Sequence, residues 1–140
     1  MPIYVETDQK QYKLFDAKLA GEVAAQAETR MQEMVKNAAD KAAGFTTAKD
    51  QNSKGYFVRL KLSKVEKVGG DTKCEINGEL VRYPKEVTKS HGSGAAMVST
   101  SWYGKAQASG RDAIMMCVEA IVEKMLPNGF TAMSSDMLKR

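Results

Sequence analysis

The sequence predicts a two-layer α+β sandwich in the order β-α-β-β-β-α. An antiparallel sheet of three to four strands carries a long N-terminal helix and a C-terminal helix on one face. Three patterns predict it. Residues 17–43 are almost all helix formers, with apolar positions three or four apart. Two runs flanking Gly69 and Gly70 alternate apolar and polar residues, and residues 111–126 carry a second apolar stripe at helical spacing. A sheet with one apolar face must be covered, and two amphipathic helices supply the cover.

Ile3, Tyr4 and Val5 open the chain as a β-prone segment, and Tyr12, Leu14 and Phe15 follow a polar gap. Asp16 is placed as an N-cap, accepting from the free amides of the next turn. In the first helix Leu19, Val23, Ala27, Met31, Met34, Val35, Ala38 and Ala42 share a stripe, and Gly44 stands where a left-handed residue closes a helix. At 1.5 Å per residue this helix is about 40 Å long. Residues 48–54 are polar and turn-rich, which reads as a surface loop.

The two alternating runs form a hairpin. Tyr56, Val58, Leu60 and Leu62 point one way and Phe57, Arg59 and Lys61 the other, while Cys74, Ile76, Gly78 and Leu80 form one face of the returning strand. A simple two-residue loop at the glycines would set Leu62 against Asn77 and Leu60 against Glu79, mixing apolar and charged side chains on one face. Shifting by one residue pairs Leu62 with Ile76, Val58 with Leu80 and Arg59 with Glu79. This second register is the expected one, reached through a three-residue loop with a glycine bulge or a bulge near Ser63 and Lys64.

Residues 84–94 read as the longest irregular and most mobile stretch, followed by a third strand over about residues 95–106. Ser109, with Asp112 three residues on, resembles a capping box for the second helix. There Ile114, Cys117, Val118, Ile121, Val122 and Met125 face inward, and Pro127, Asn128 and Gly129 are expected to end the helix. Residues 1–126 therefore read as a single α+β domain and 127–140 as a loosely held C-terminal tail.

Composition narrows the chemistry. The chain has 140 residues, 43% of them hydrophobic, so it can bury a core, and it has no apolar run long enough to span a membrane. Its start lacks a basic region followed by an apolar stretch, which reads as a cytoplasmic protein, part of an assembly, or an exported mature form whose leader has been removed. The formal charge of +4 is spread among scattered lysines with no polybasic run.

A lone histidine, His91, has no nearby cysteine or second histidine with which to hold a transition metal, and only Glu86 is near enough in sequence to orient it as a base. Cys74 and Cys117 fall on apolar faces, where cysteine behaves as a small hydrophobe; a disulfide between them is open but not required. Gly104 and Lys105 do not make a phosphate loop, because Ser99 stands where its first glycine belongs and Ala106 where its hydroxyl belongs. Gly92, Ser93 and Gly94 are too short for a hydrolase elbow. Nine methionines fit core filling, with Met115 or Met116 free to serve an interface.

From the first helix onward the element order resembles the double-stranded-RNA-binding fold, whose final helix opens with a lysine cluster that spans phosphates. The matching stretch here, residues 110–115, offers Arg111 beside Asp112 and no such cluster. Over residues 3–126 the order is also similar to strand–helix–strands–helix domains of exported assembly proteins such as the curli secretion pore and the N-terminal part of TolB. That resemblance implies an oligomeric or scaffold role.

The functional expectation is a non-catalytic interaction or assembly module, a subunit of a homo-oligomer or larger structure, without cofactor or metal and without a small-molecule substrate. Its candidate surface is the sheet face bearing Phe57, Arg59, Lys61, Lys73, Glu75, Glu79 and Tyr83. The alternative is a weak nucleic-acid binder using Lys85, Lys89 and Arg111 with stacking from Trp102 or Tyr103. A third reading, a small enzyme built on His91 or a cysteine, has the least support.

Overall fold

The computed structural model describes residues 2–7, 21–68, 71–84, 88–99 and 111–140. Strand β1 (Ile3–Glu6) is followed by helix α1 (Gly21–Lys41), strand β2 (Phe45–Thr46), the long strands β3 (Gly55–Val68), β4 (Asp71–Tyr83) and β5 (Thr88–Ser99), and helix α2 (Arg111–Met137). The expected Asp16 cap, the Gly69–Gly70 turn and the Ser109 capping box lie outside the described residues.

The α+β architecture is as expected, but the sheet is mixed and has five strands, in the order β2-β1-β3-β4-β5. β1 runs parallel to both β2 and β3, whereas β3, β4 and β5 are antiparallel neighbours. The correction has a simple cause. The long helix after β1 carries the chain back to its starting end, so the next strand must run parallel to the first. β2 has only two residues, too few to show any periodicity. Gly44, with φ of 84°, turns the end of α1 into β2 as anticipated, and its carbonyl accepts a 2.7 Å bond from the Ile3 amide.

In the hairpin, Val58 lies opposite Leu80, Arg59 opposite Glu79 and Leu62 opposite Ile76, as the shared apolar face requires. The register then shifts between Leu62 and Lys64, and Val68 pairs with Asp71 at the turn. Of the two routes to this register the structure takes the bulge near Ser63, and the register set aside in the sequence reading persists between that bulge and the end of the hairpin, from Lys64 opposite Glu75 to Val68 opposite Asp71.

Two expectations fail here. The stretch read as irregular contains the first half of β5, so His91 is not a loop residue but sits in a strand at the position opposite Glu79. Glycine and serine have low strand propensity, yet ladder hydrogen bonds come from the backbone, and β4 provides a full-length template. The end of the expected third strand, residues 100–106, lies outside the described residues.

Nor does α2 stop at Pro127. It continues to Met137 with the proline inside it, so residues 127–137 are helix rather than tail. Proline leaves the Glu123 carbonyl without its helical donor. Beyond it, however, Met133 is buried at 2% exposure and Asp136 is tied to the sheet, and those contacts hold the helix together.

Both helices contribute to one core on one side of the sheet. Ala27, Met31, Val35 and Ala39 form the buried stripe of α1, with Ala39 buried where Ala38 was expected and Ala42 half-buried just past the helix; Leu19 and the Val23 side chain lie outside what the structure describes. Ile114, Cys117, Val118, Ile121 and Val122 of α2 are buried as expected, while Met125 is partly covered. They meet Tyr56, Val58, Leu60, Leu62, Cys74, Ile76 and Leu80 of the hairpin. Arg30 of α1 bonds Glu119 of α2 at 3.0 Å along the helix pair.

Candidate functional site

On the sheet face away from the helices, alternation along β3 and β4 brings Phe57, Arg59, Glu79 and Tyr83 into one cluster. The Phe57 and Tyr83 rings meet edge to face at 5.3 Å, the Arg59 guanidinium lies 5.0 Å over Phe57, and it contacts Glu79 at 3.4 Å. Lys61, Lys73 and Glu75 continue the face at register positions opposite Asn77, Glu66 and Lys64. All seven predicted residues are half-buried rather than fully solvated. Such partial burial strengthens ion pairs and cation–π contacts relative to an open surface.

Two members of this cluster escaped sequence reasoning. Tyr4 of β1 is buried, meets Tyr83 edge to face at 5.0 Å and donates a 2.7 Å hydrogen bond to Glu6. Lys49, from the loop after β2, lies 5.3 Å over the Tyr83 ring, and its hydrogen bond with Tyr83 raises its pKa above the ordinary lysine value. Alternation over a four-residue strand is too short to read, and nothing local in a polar loop marks which lysine reaches a ring.

For the nucleic-acid alternative, Lys85, Trp102 and Tyr103 lie outside the described residues, Lys89 is a β5 residue and Arg111 opens α2. Among the described residues no group of three or more His, Cys, Asp or Glu is arranged to hold a metal. No described helix is long and apolar enough to cross a membrane.

The end of α2 docks on the start of β3 through charged and polar groups. Arg82 donates two bonds to the Asp136 carboxylate, at 2.9 and 2.8 Å, and Tyr56 donates a third at 2.6 Å. Burial, and next the bond to Asp136, pushes the Tyr56 phenol up to about 12. Arg140 then donates to the carbonyls of Gly55 and Tyr83, each at 2.9 Å.

Between this docked segment and the hairpin lies an apolar pocket of about 240 Å³. Val58, Leu60 and Leu80 form its sheet side, and Met125, Phe130 and Met133 its helix side. At the opposite end of the helix–sheet interface, Cys74 of β4 and Cys117 of α2, both fully buried, are joined in a disulfide. Core packing was the expectation for both cysteines, and the bond left open by the sequence is formed. Met116 is the exposed member of its pair, at 51%, while Met115 packs against the core.

No protein-family model matches the chain, and no curated protein matches it. The fold is similar to a solved structure described as "a putative lipoprotein from Caulobacter crescentus CB15", with a TM-score of 0.50 and 10% identity, over 86% of this chain and 90% of that one. At that identity the likeness is one of fold.

Proposed function

We propose that the protein is a non-catalytic assembly module that works outside the reducing cytoplasm and associates through the outer edge of β5. The observation that carries this reading is the edge itself. β5 is twelve residues long, pairs with β4 along its length and ends the sheet, and among the described residues no strand lies on its other side. A long edge strand offers a ladder of backbone groups to a second chain. The Cys74–Cys117 disulfide supports an oxidising compartment, where such bonds persist. The likeness of fold to the protein described as "a putative lipoprotein" agrees with export. The half-buried ion pair and rings lie further into the sheet, over β1, β3 and β4, and add contact surface for a partner that reaches across the face.

Light scattering on the purified chain tests the reading. The expected result is a mass of two or more copies, falling to the 15.3 kDa of one chain when Ser93→Lys and Ala95→Lys place charge along the edge. A wild-type monomer at high concentration with no retained partner overturns it, as does an oligomer indifferent to the two lysines. The basic alternative, nucleic-acid binding, predicts affinity for a single-stranded oligonucleotide that falls steeply with added salt.

A further inference from the structure

The pocket under the second half of α2 is lined by a glycine on each of its walls. On the sheet, Gly78 of β4 lines the space beside Leu60, its partner on β3, and brings no side chain to it. On the helix, Gly129 lines the space two residues after Pro127, where the intrahelical bonding is already interrupted. A β-carbon built at Gly129 meets nothing within 4 Å, so nothing steric forbids filling the space from that position. An unfilled apolar hollow costs stability in proportion to its volume. Alanine in place of Gly129 would also favour the helix.

We propose that this pocket is a binding site for a saturated alkyl chain. An engineered apolar cavity of about 150 Å³ accepts benzene, and scaling by volume gives roughly eight to ten carbons for this one. The lining is mostly aliphatic, with Phe130 its one aromatic ring and Met125 and Met133 among its walls, and unbranched thioether side chains adjust to a flexible chain better than rigid walls do. Asn128 stands exposed at the rim, where a polar end group would lie. The chain could belong to a free medium-chain compound or to the tail of a lipid; the hydrocarbon is common to both. This site is independent of the edge association proposed above.

Titration of the intact protein, labelled at its methionine methyl groups, tests the proposal by NMR with two probes. One is 1-octanol and the other is dioctanoyl phosphatidylcholine below its micellar concentration. Saturable shifts concentrated at the Met125 and Met133 methyls are expected, with octanol alone indicating a free ligand and the lipid alone indicating a tail. Gly129→Leu, which fills the space, should weaken binding at least ten-fold while preserving the circular dichroism of the wild type, and Gly129→Ala should have a smaller effect. Absence of saturation with both probes, or equal shifts at methionines remote from the pocket such as Met31 and Met116, overturns the proposal in the wild-type protein, whatever the variants do. Undiminished binding by folded Gly129→Leu overturns it as well.

Discussion

Tyr56 shows how one residue can join the two ends of the chain's logic. Alternation places its ring on the apolar face, and the fold then supplies a carboxylate for its hydroxyl eighty positions along the sequence. The phenol is held near 12 in the folded protein against 10.0 for an ordinary tyrosine. Because the folded value is the higher one, the folded state keeps its proton when the unfolded chain has lost it. The associated stability is therefore complete below about pH 10 and declines between about pH 10 and pH 12. Absorbance titration should show a late-ionising tyrosine that disappears in Tyr56→Phe, and the variant's stability should fall less across that window. Thr72 is the counterexample: its side-chain oxygen is buried and has no hydrogen-bond partner among the described residues, which do not explain why a hydroxyl is kept there.

At the scale of elements, the parallel join between β1 and β3 depends on Gly55. Its α-carbon pairs with Tyr4, and a β-carbon would sit 1.7 Å from the Tyr4 carbonyl oxygen, a backbone atom that cannot swing aside. Gly55→Ala should detach β1 or prevent folding, with loss of amide protection at Tyr4 and Val5 as the measure of it. Sequence reasoning located both helices, the hairpin and its bulge, because each rests on a pattern within a few neighbouring residues. It misplaced β5 and the end of α2. In both cases local propensity pointed to loop, while a partner distant in sequence, β4 for the strand and Arg82 with Tyr56 for the helix, supplied the bonds that propensity omits. Four members of the candidate face, Phe57, Arg59, Glu79 and Tyr83, could be read from alternation; Tyr4 and Lys49 could not, since only folding brings them there.

For the whole molecule, the disulfide joins the middle of the sheet to α2 across 43 positions of sequence. Constraining an unfolded loop of that length is worth about 4 kcal/mol in the chain-entropy picture. Replacing both cysteines by alanine should lower the urea midpoint accordingly, and reductant should lower the midpoint of the wild type but leave the variant unaffected. The bond also fastens one end of α2, while Asp136 and Arg140 fasten the other, with the apolar pocket nearer the second attachment.

The sequence by itself determined the two amphipathic helices, the face of the hairpin that is buried and the register that buries it, because these follow from the periods of helix and strand acting on near neighbours. Tertiary structure alone decided the direction of β1, the persistence of α2 through its proline, the bonding of the two cysteines and the hollow between the hairpin and the end of α2. Each of those depends on which distant segments meet. A contact between remote parts of a chain leaves no periodic trace in either part, so it becomes visible only when the backbone has been folded.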